Sequence, residues 1–147
     1  MLLWVKKVIR KNTEDKVDNM TLKYFTKKEF DCNCNSCKTK GNTGENMDID
    51  FLIKLDKARD IAGIPFKINS GYRCPEHNIK VGGIKTSSHT NIPCNAADIS
   101  TIDSVTRFKV LQALLEVGFV RIGIGESFIH CDTDTENKSP KVCWTYY

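Results

Sequence analysis

The sequence of 147 residues has few histidines, only three, and it shows neither a His-Glu-x-x-His pair nor an internal repeat. It also lacks an apolar run long enough for a membrane-spanning helix, which needs about 20 residues. The net charge of +4 is mild, and apart from Trp4 and its neighbouring lysines no basic cluster is interleaved with aromatic residues. We therefore expect no membrane span and no nucleic-acid partner, and a monomer of ordinary globular composition.

The first residues do not have the pattern of a secretory signal. The apolar run covers only Leu2 to Val5, and lysines follow it where a small-residue cleavage site would stand. We expect residues 1–19 to form a flexible N-terminal extension and residues 20–147 to form one compact domain.

Seven cysteines are present, an odd number. Without a secretory signal, free thiols are the expected state. Cys32, Cys34 and Cys37 lie in a stretch, residues 31–46, whose Asn, Gly and Lys content predicts a loop. Three thiols there could bind zinc, but structural zinc sites usually combine two separated cysteine pairs, and the sequence shows no second pair. The role of this cluster stays open.

Hydrophobic periodicity predicts two helices. Asp48 to Ala62 has apolar residues at helical spacing, and so does Ser104 to Val117. The predicted buried residues are Leu52, Leu55, Ala58 and Ile61 or Ala62 in the first helix, and Phe108, Leu111, Leu114 and Leu115 in the second. A helical turn is predicted at 75–80, and strands at 66–69, 96–100, 119–124, 128–132 and 141–146. Helices and strands without regular alternation predict an α+β fold.

Chemistry-bearing side chains are concentrated in the polar stretch Ser70 to Ser100. It contains two histidines and Asp98, an aspartate in apolar company, which favours a paired or metal-bound carboxylate. Further on, His130 and Asp132 alternate onto one face of a predicted strand. Two histidines and a carboxylate form a typical catalytic zinc set with an open fourth position. Each residue has a simpler reading, because a strand histidine can be structural and Asp98 can cap a turn.

Five motifs that follow one another along the chain favour the zinc site over these simpler readings. They are Ser70-Gly71-Tyr72-Arg73-Cys74-Pro75-Glu76-His77-Asn78, Val81-Gly82-Gly83, Ser87-Ser88-His89, Ala96-Ala97-Asp98-Ile99 and Phe128-Ile129-His130-Cys131-Asp132. Together they resemble the zinc D-Ala-D-Ala carboxypeptidase family, which includes phage endolysin L-alanyl-D-glutamate peptidases and shares its fold with the Hedgehog signalling domain. The resemblance runs from about Met20 to the C-terminus, and Phe25 to Phe30 resembles the start of phage members.

The resemblance implies a small antiparallel sheet flanked by helices, and one catalytic Zn²⁺ held by His89, Asp98 and His130. It implies that Arg73 grips the substrate and stabilises a developing oxyanion, a task that suits a guanidinium. The alternative for Arg73 is a structural ion pair. Ser87 matches a serine that steadies the site or contacts substrate. His77 matches a family position that is not a ligand.

The sequence departs from the family pattern at two places. His89 and Asp98 are two residues further apart than usual, so the loop must bulge, and Cys94 within it could approach the metal. Many members carry an acidic general base at the position of Ser127. We expect Glu126, one residue away, to take that role. The second candidate is Asp132, which could equally orient a metal ligand.

The expected function is therefore a zinc-dependent peptidase that hydrolyses peptidoglycan stem peptides at a D-Ala-D-Ala or an L-Ala-D-Glu bond. We expect a phage-type lysin, made in the host cytoplasm without a signal peptide and acting on the bacterial cell wall. The alternative is a zinc-containing binding domain of the same fold that has lost catalysis.

Overall fold

The computed structural model describes residues 21–147. The predicted extension over residues 1–19 lies outside this range. Within residues 21–147 the α-helices are α1 (Asn35–Lys40), α2 (Ile49–Ala62), α3 (Pro75–Lys80) and α4 (Ser104–Glu116). The strands are β1 (Ile68–Ser70), β2 (Ala96–Ser100), β3 (Arg121–Ile124), β4 (Phe128–Asp132) and β5 (Val142–Thr145).

The strands form one five-stranded sheet within residues 21–147, in the order β1-β2-β4-β3-β5. Neighbouring strands are antiparallel except β3 and β5, which pair in parallel. The helices pack beside this sheet, so the predicted α+β fold is confirmed. The central position of β2 and β4 makes them the most enclosed strands and the natural place for buried polar groups.

Helix α2 begins and ends where the sequence predicts. The Asp48 side chain accepts a hydrogen bond from the backbone N–H of Asp50, and Gly63 closes the helix with φ 64°, a conformation that glycine adopts without strain. Phe51 and Leu52 are buried on its inner face, and the Phe51 ring meets that of Phe119 edge-on at 5.8 Å. Leu55 and Ala58 are also buried, whereas Ile61 is exposed and Ala62 packs at the border of the core.

Helix α4 is correctly predicted in extent but not in its buried face. Leu114 is buried as expected, whereas Phe108 and Leu115 are exposed. Its other buried residues are Val110 and Ala113. The helix carries two overlapping apolar stripes at helical spacing, and it packs against α2 through the one that includes the small Ala113. Periodicity alone cannot distinguish the two stripes.

The segment predicted as a loop, residues 31–46, is more ordered than expected. It contains α1 and a 3₁₀ turn at Thr43–Asn46. The backbone N–H of Cys32 donates to Thr43 Oγ1 at 2.7 Å, and that of Gly44 donates to Asp31 Oδ1 at 2.6 Å. Both side chains thus accept hydrogen bonds from backbone N–H groups. Such bonds stabilise turns that the polar composition of the segment alone does not predict.

The entry segment packs against the beginning of the polar stretch. Phe25 and Phe30 are buried, with ring centroids 5.5 Å apart. The Phe30 carbonyl accepts a hydrogen bond from the Tyr72 N–H at 3.0 Å. A Cβ atom on Gly71 would lie 2.5 Å from the Phe30 Cβ, so this close approach requires glycine. The entry segment therefore fixes the backbone that leads into Arg73.

None of the helices in residues 21–147 combines the length and the apolarity that crossing a bilayer requires.

Candidate metal centre

Two central strands place Asp98 and His130 side by side. In the pairing of β2 with β4, the two residues lie directly opposite one another. Opposed residues of an antiparallel pair project from the same face of the sheet. Both side chains are almost fully buried. The sheet thus joins a carboxylate and an imidazole that are 32 residues apart in sequence.

His89 reaches the same point from a short 3₁₀ turn, Ser88–Thr90. The Ser87 hydroxyl accepts a hydrogen bond from the His89 backbone N–H at 3.3 Å and so begins this turn. The ring Nδ1 of His89 lies 2.6 Å from the Gly71 carbonyl oxygen. Because a carbonyl can only accept, Nδ1 carries the proton, and Nε2 presents a lone pair to the interior of the site.

The three side chains converge on one point. His89 Nε2 lies 3.2 Å from His130 Nδ1 and 3.2 Å from Asp98 Oδ1, and His130 Nδ1 lies 2.9 Å from Asp98 Oδ1. Donor atoms at about 2.0–2.1 Å from a tetrahedral zinc ion lie about 3.3 Å apart. The observed triangle is close to that size. His89, Asp98 and His130 therefore form a group that can hold a metal ion.

The second histidine also directs its outer nitrogen to an acceptor. His130 Nε2 lies 2.7 Å from Asp132 Oδ2, and a carboxylate accepts the proton that this nitrogen carries. Two imidazole lone pairs and a carboxylate oxygen consequently face one another. Three acceptors in contact repel unless a cation or a proton lies between them. The chemistry of this donor set thus fits a divalent metal such as zinc.

Asp132 is held on the far side of the His130 ring. Its Oδ1 accepts hydrogen bonds from Arg121 Nε at 2.7 Å and from the Asp134 backbone N–H at 3.0 Å. Both carboxylate oxygens are thus occupied, and the side chain is 1% exposed. A carboxylate behind a metal-binding histidine fixes the ring orientation and its tautomer. This is the orienting position rather than that of an open proton acceptor.

The pKa values of the donor residues follow from this packing. Burial by itself would raise the pKa of Asp98, but hydrogen bonds from His130 and His89 outweigh it and hold the pKa below its usual value. Burial likewise opposes the charged form of His130, but its bonds to Asp132 and Asp98 raise the pKa of this imidazole. Asp98 is therefore the fixed negative charge of the group.

Arg73 forms an ion pair with Asp98, the carboxylate of the donor group. Its Nη2 donates to Asp98 Oδ2 at 2.8 Å, its Nε to Ser70 Oγ at 2.8 Å and its Nη1 to Asn78 Oδ1 at 3.2 Å. The structural ion pair considered as an alternative for Arg73 is thus present. The guanidinium also lines the cleft, and one N–H on each terminal nitrogen stays free for another acceptor.

The donor group opens into a cleft of about 760 Å³. One wall is aromatic and consists of Phe128, Trp144 and Tyr146. The Trp144 ring lies 5.5 Å from the His130 ring, centroid to centroid. A Cβ atom on Gly123 would lie 2.7 Å from the Trp144 ring, so a glycine at this strand position lets the indole approach the site.

The segment that follows α3 also lines the cleft. It contributes Gly82 and Gly83, the apolar Val81 and Ile84, and the two serines Ser87 and Ser88. Lys138 lines the cleft too, with its Nζ 2.6 Å from Ser88 Oγ and 3.1 Å from Asp134 Oδ2. Lys138, Arg73 and Arg121 are the cationic side chains that line the cleft, and the Nε of Arg121 is bound to Asp132.

The predicted site residues have different positions. Ser87 lines the cleft and supports the His89 turn. Glu126 lies at the exposed turn between β3 and β4 and is not among the cleft-lining residues. This placement argues against the preference for Glu126 as the general base. His77 lies on α3, outside the donor group, as expected.

The lengthened loop between His89 and Asp98 bulges away from the donor group. The Cys94 backbone N–H donates to the Asn46 carbonyl at 2.7 Å, and the Cys94 carbonyl accepts from the Asp48 N–H at 2.8 Å. The Cys94 side chain is fully buried, with its Sγ next to backbone carbonyls of Ser88 and Ala96. The loop therefore contacts the residues just before α2 through Cys94, and Cys94 is not part of the donor group.

Sequence reasoning missed Trp144, Tyr146, Lys138 and Arg121. A signal existed for the first two, because Trp144 and Tyr146 are two residues apart in a predicted strand and so share one face of it. Arg121 is a charged residue in an otherwise apolar strand, which indicates a buried ion pair. Lys138 lies in an irregular segment, and nothing in its neighbourhood distinguishes it from a solvated lysine.

Comparison with protein families matches residues 23–132 to the family described as peptidase M15. The match covers most of the chain and includes all three donor residues and Arg73. It ends at Asp132, so β5 and its two cleft aromatics lie beyond it. No curated protein matches the chain.

Proposed function

The chain belongs to the peptidase M15 family, and we propose that it is a zinc-dependent peptidase that hydrolyses peptidoglycan stem peptides. One observation carries the proposal. His89 Nε2, His130 Nδ1 and Asp98 Oδ1 meet within 3.2 Å of one another at the floor of a large cleft. A site with three protein ligands and an open side is the arrangement of catalytic rather than structural zinc.

In this proposal His89, Asp98 and His130 hold a single zinc ion. Zinc in such a site supplies a Lewis acid that polarises a carbonyl and lowers the pKa of water towards ~7. The Gly71 carbonyl and the Asp132 carboxylate keep the protons on the outer nitrogens of the two rings. Their inner nitrogens are therefore the ones that would bind the ion.

Arg73 is placed to bind the substrate beside the metal. Its bonds to Ser70 and Asn78 fix the guanidinium plane, and its remaining N–H groups face the cleft. A fixed, always charged fork of donors suits a peptide carboxylate or a carbonyl oxygen on which charge develops. Lys138 adds a second cation, which complements the carboxylates that stem peptides carry. Ser87 lines the same cleft and can contact the peptide backbone.

The aromatic wall has a different task. Phe128, Trp144 and Tyr146 cover one side of the donor group with ring faces. Apolar rings next to polar catalytic groups exclude water and strengthen the electrostatic interactions between them. We propose that this wall holds the apolar alanine side of the substrate, while the cations hold its carboxylates. Both D-Ala-D-Ala and L-Ala-D-Glu bonds satisfy this division.

The proton acceptor is proposed among the two predicted carboxylates. Asp132 lines the cleft but is bound to His130 and Arg121, whereas Glu126 lies outside the cleft lining. Of the two, Asp132 is the carboxylate at the site, and its contacts give it the role of orienting His130 rather than that of a free proton acceptor.

We extend the proposal to a monomeric phage-type lysin, made in the host cytoplasm and acting on the wall. Its support is the resemblance of Phe25 to Phe30 and the following cysteines to phage members.

One observation favours the second candidate, a zinc-containing binding domain without catalysis. Among the residues that the structure describes, the carboxylates lining the cleft are Asp98 and Asp132, and both are engaged with arginine and histidine partners. A binding domain needs the metal and the cations but no free proton acceptor.

The test combines metal content with cleavage. Purified protein is analysed for zinc and incubated with peptidoglycan, and the released fragments are identified by mass spectrometry. We expect zinc and cleavage in the wild type, and loss of cleavage in His130→Ala. His77→Ala is the matched control, because it removes the histidine outside the donor group, and it should keep both.

The outcomes separate the candidates. Release of free alanine identifies carboxypeptidase activity, whereas new N-terminal glutamate identifies the endopeptidase. Zinc at the His/Asp group without cleavage of any wall preparation would leave the binding domain. Equal zinc content in wild type and His130→Ala would refute the assigned ligands.

A further inference from the structure

A second group of metal-binding atoms lies outside the cleft. The structure brings Cys74 next to Cys32, Cys34 and Cys37, with the four sulfur atoms within 4.8 Å of one another. The three clustered cysteines lacked a partner in the sequence, and the tertiary structure supplies it from a position 37 residues after Cys37 (74 − 37). We propose that these four thiols form a structural zinc site, separate from the His89, Asp98 and His130 group.

The distances suit a tetrathiolate. Cys34 Sγ and Cys74 Sγ are 3.6 Å apart. Sulfur atoms bound at about 2.3 Å to a tetrahedral zinc ion are about 3.8 Å apart. A small inward adjustment of side chains that already face one another completes the coordination. Four cysteines without an open position are typical of structural rather than catalytic zinc.

Backbone N–H groups are directed at these sulfur atoms. Cys37 N–H donates to Cys34 Sγ at 3.3 Å, Cys74 N–H donates to Cys32 Sγ at 3.4 Å, and His77 N–H donates to Cys74 Sγ at 3.4 Å. Zinc binds thiolates and displaces their protons, and N–H donors stabilise the negative charge that the sulfurs then carry. This arrangement matches the outer contacts that tune metal–sulfur sites.

The surroundings also fit a structural ion. Cys32 and Cys37 are buried in the hydrophobic core, and Cys34 and Cys74 pack at its border. The helices that carry or adjoin these cysteines, α1 and α3, are only six residues long. A metal that joins two such segments supplies stability that their packing does not.

The site lies directly behind the substrate-binding arginine. Cys74 follows Arg73, and the Arg73 backbone N–H donates to the His89 carbonyl at 2.9 Å. Zinc at the cysteines would therefore anchor the loop that positions Arg73. The proposal of the ion itself stands independently of the peptidase function, since it uses none of the cleft residues.

The alternative states of the four thiols are disulfides and free thiols. One disulfide would consume two of the four thiols and two disulfides all four, whereas zinc binds all four as separate thiolates. In the structure all seven cysteines are free. The experiment must therefore distinguish a metal from a covalent sulfur bond.

The test measures zinc per chain in the full-length protein purified with reductant. We expect about two zinc ions in the wild type, about one in His130→Ala, and about one in Cys34→Ser/Cys74→Ser. Cys143→Ser removes an exposed cysteine outside the group and should leave the content unchanged. His130→Ala isolates the cysteine site, so failure of the catalytic proposal does not affect this result.

A spectroscopic readout covers the case in which the double variant does not fold. Folded His130→Ala loaded with Co²⁺ should show an intense thiolate-to-cobalt charge-transfer band. After chelation and denaturation without reductant, all seven thiols should react, and each disulfide would remove two from that number. Absence of the band, five or fewer reactive thiols, or iron in place of zinc would overturn the assignment.

Discussion

The carboxylate behind His130 shows how one residue acts through another. Asp132 touches Nε2 of His130, and the opposite ring nitrogen faces the donor group. His130 and Asp132 are two residues apart in β4, so both side chains project from the same face of the sheet. A substitution of Asp132 should therefore change the affinity for the proposed metal ion directly, and proton transfer only as a consequence.

Asp132→Asn is expected to lower zinc affinity by about 10- to 100-fold, because an amide cannot hold the His130 ring in the same tautomer and charge state. Glu126→Gln makes the same chemical change at the exposed turn and should leave zinc affinity unaltered. Competition with a chelating dye measures both. If Glu126→Gln weakened zinc binding while Asp132→Asn did not, the orienting role would belong elsewhere.

Arg73 supports the site through its hydrogen bonds and, in the proposed function, also binds the substrate. Arg73→Lys keeps the charge next to Asp98 but loses the fork that reaches Ser70 and Asn78. We expect a loss of about 1–2 kcal/mol in the free energy of unfolding, since each lost hydrogen bond contributes about 1 kcal/mol. The measurement is urea unfolding at fixed free zinc.

Arg107→Lys is the matched control for this change. Arg107 lies on α4 and donates to the Glu126 carbonyl, far from the ion pair with Asp98. Its effect should stay within about 0.5 kcal/mol. Equal effects of the two substitutions would mean that the geometry of the Arg73 fork is unimportant.

At the scale of elements, the sheet register matters most. A shift of β4 by one residue against β2 would turn His130 and Asp132 to the other face. The alternation of Ile129 and Cys131, both fully buried on the opposite face, fixes this register through apolar burial. The hydrophobic core thus determines where the metal ligands point.

Helix α4 offers a direct test of which apolar stripe is buried. Leu114→Ala should destabilise the protein by about 2–5 kcal/mol, because it leaves a cavity in the core. Leu115→Ala alters the neighbouring leucine, which is 57% exposed, and should change stability by no more than about 0.5 kcal/mol. Thermal or urea unfolding distinguishes them, and similar losses would contradict the observed helix orientation.

For the whole molecule, the two proposed zinc sites would link metal binding to folding. Ligands that bind only the folded chain raise its stability with their free concentration. With two zinc sites, each tenfold rise in free zinc above the dissociation constants should add about 2.8 kcal/mol to the free energy of unfolding, or about 1.4 kcal/mol per site.

Buffered zinc titrations with chemical denaturation measure this slope. His130→Ala should halve it, and so should loss of the cysteine group, whereas Mg²⁺ in place of zinc should have no effect. A slope of zero in the wild type would contradict both proposed metal sites.

The sequence by itself determined the elements and the chemistry that they carry. Helix α2, helix α3 and strands β2 and β4 follow from caps, glycines and short-range alternation, which act within a few residues of the chain. The motifs from Ser70 to Asp132 indicated the family, and the family match confirms that reading. Residues 1–19 and the single compact domain over 20–147 stay predictions.

Only the tertiary structure decided what depends on contacts between distant segments. It selected the buried stripe of α4, placed Glu126 outside the cleft, and added Trp144, Tyr146 and Lys138 to the cleft walls. It also brought Cys74 to the three earlier cysteines. Spacing along the chain cannot reveal such a meeting, because the distance between two side chains in space is set by the packing of all the elements between them.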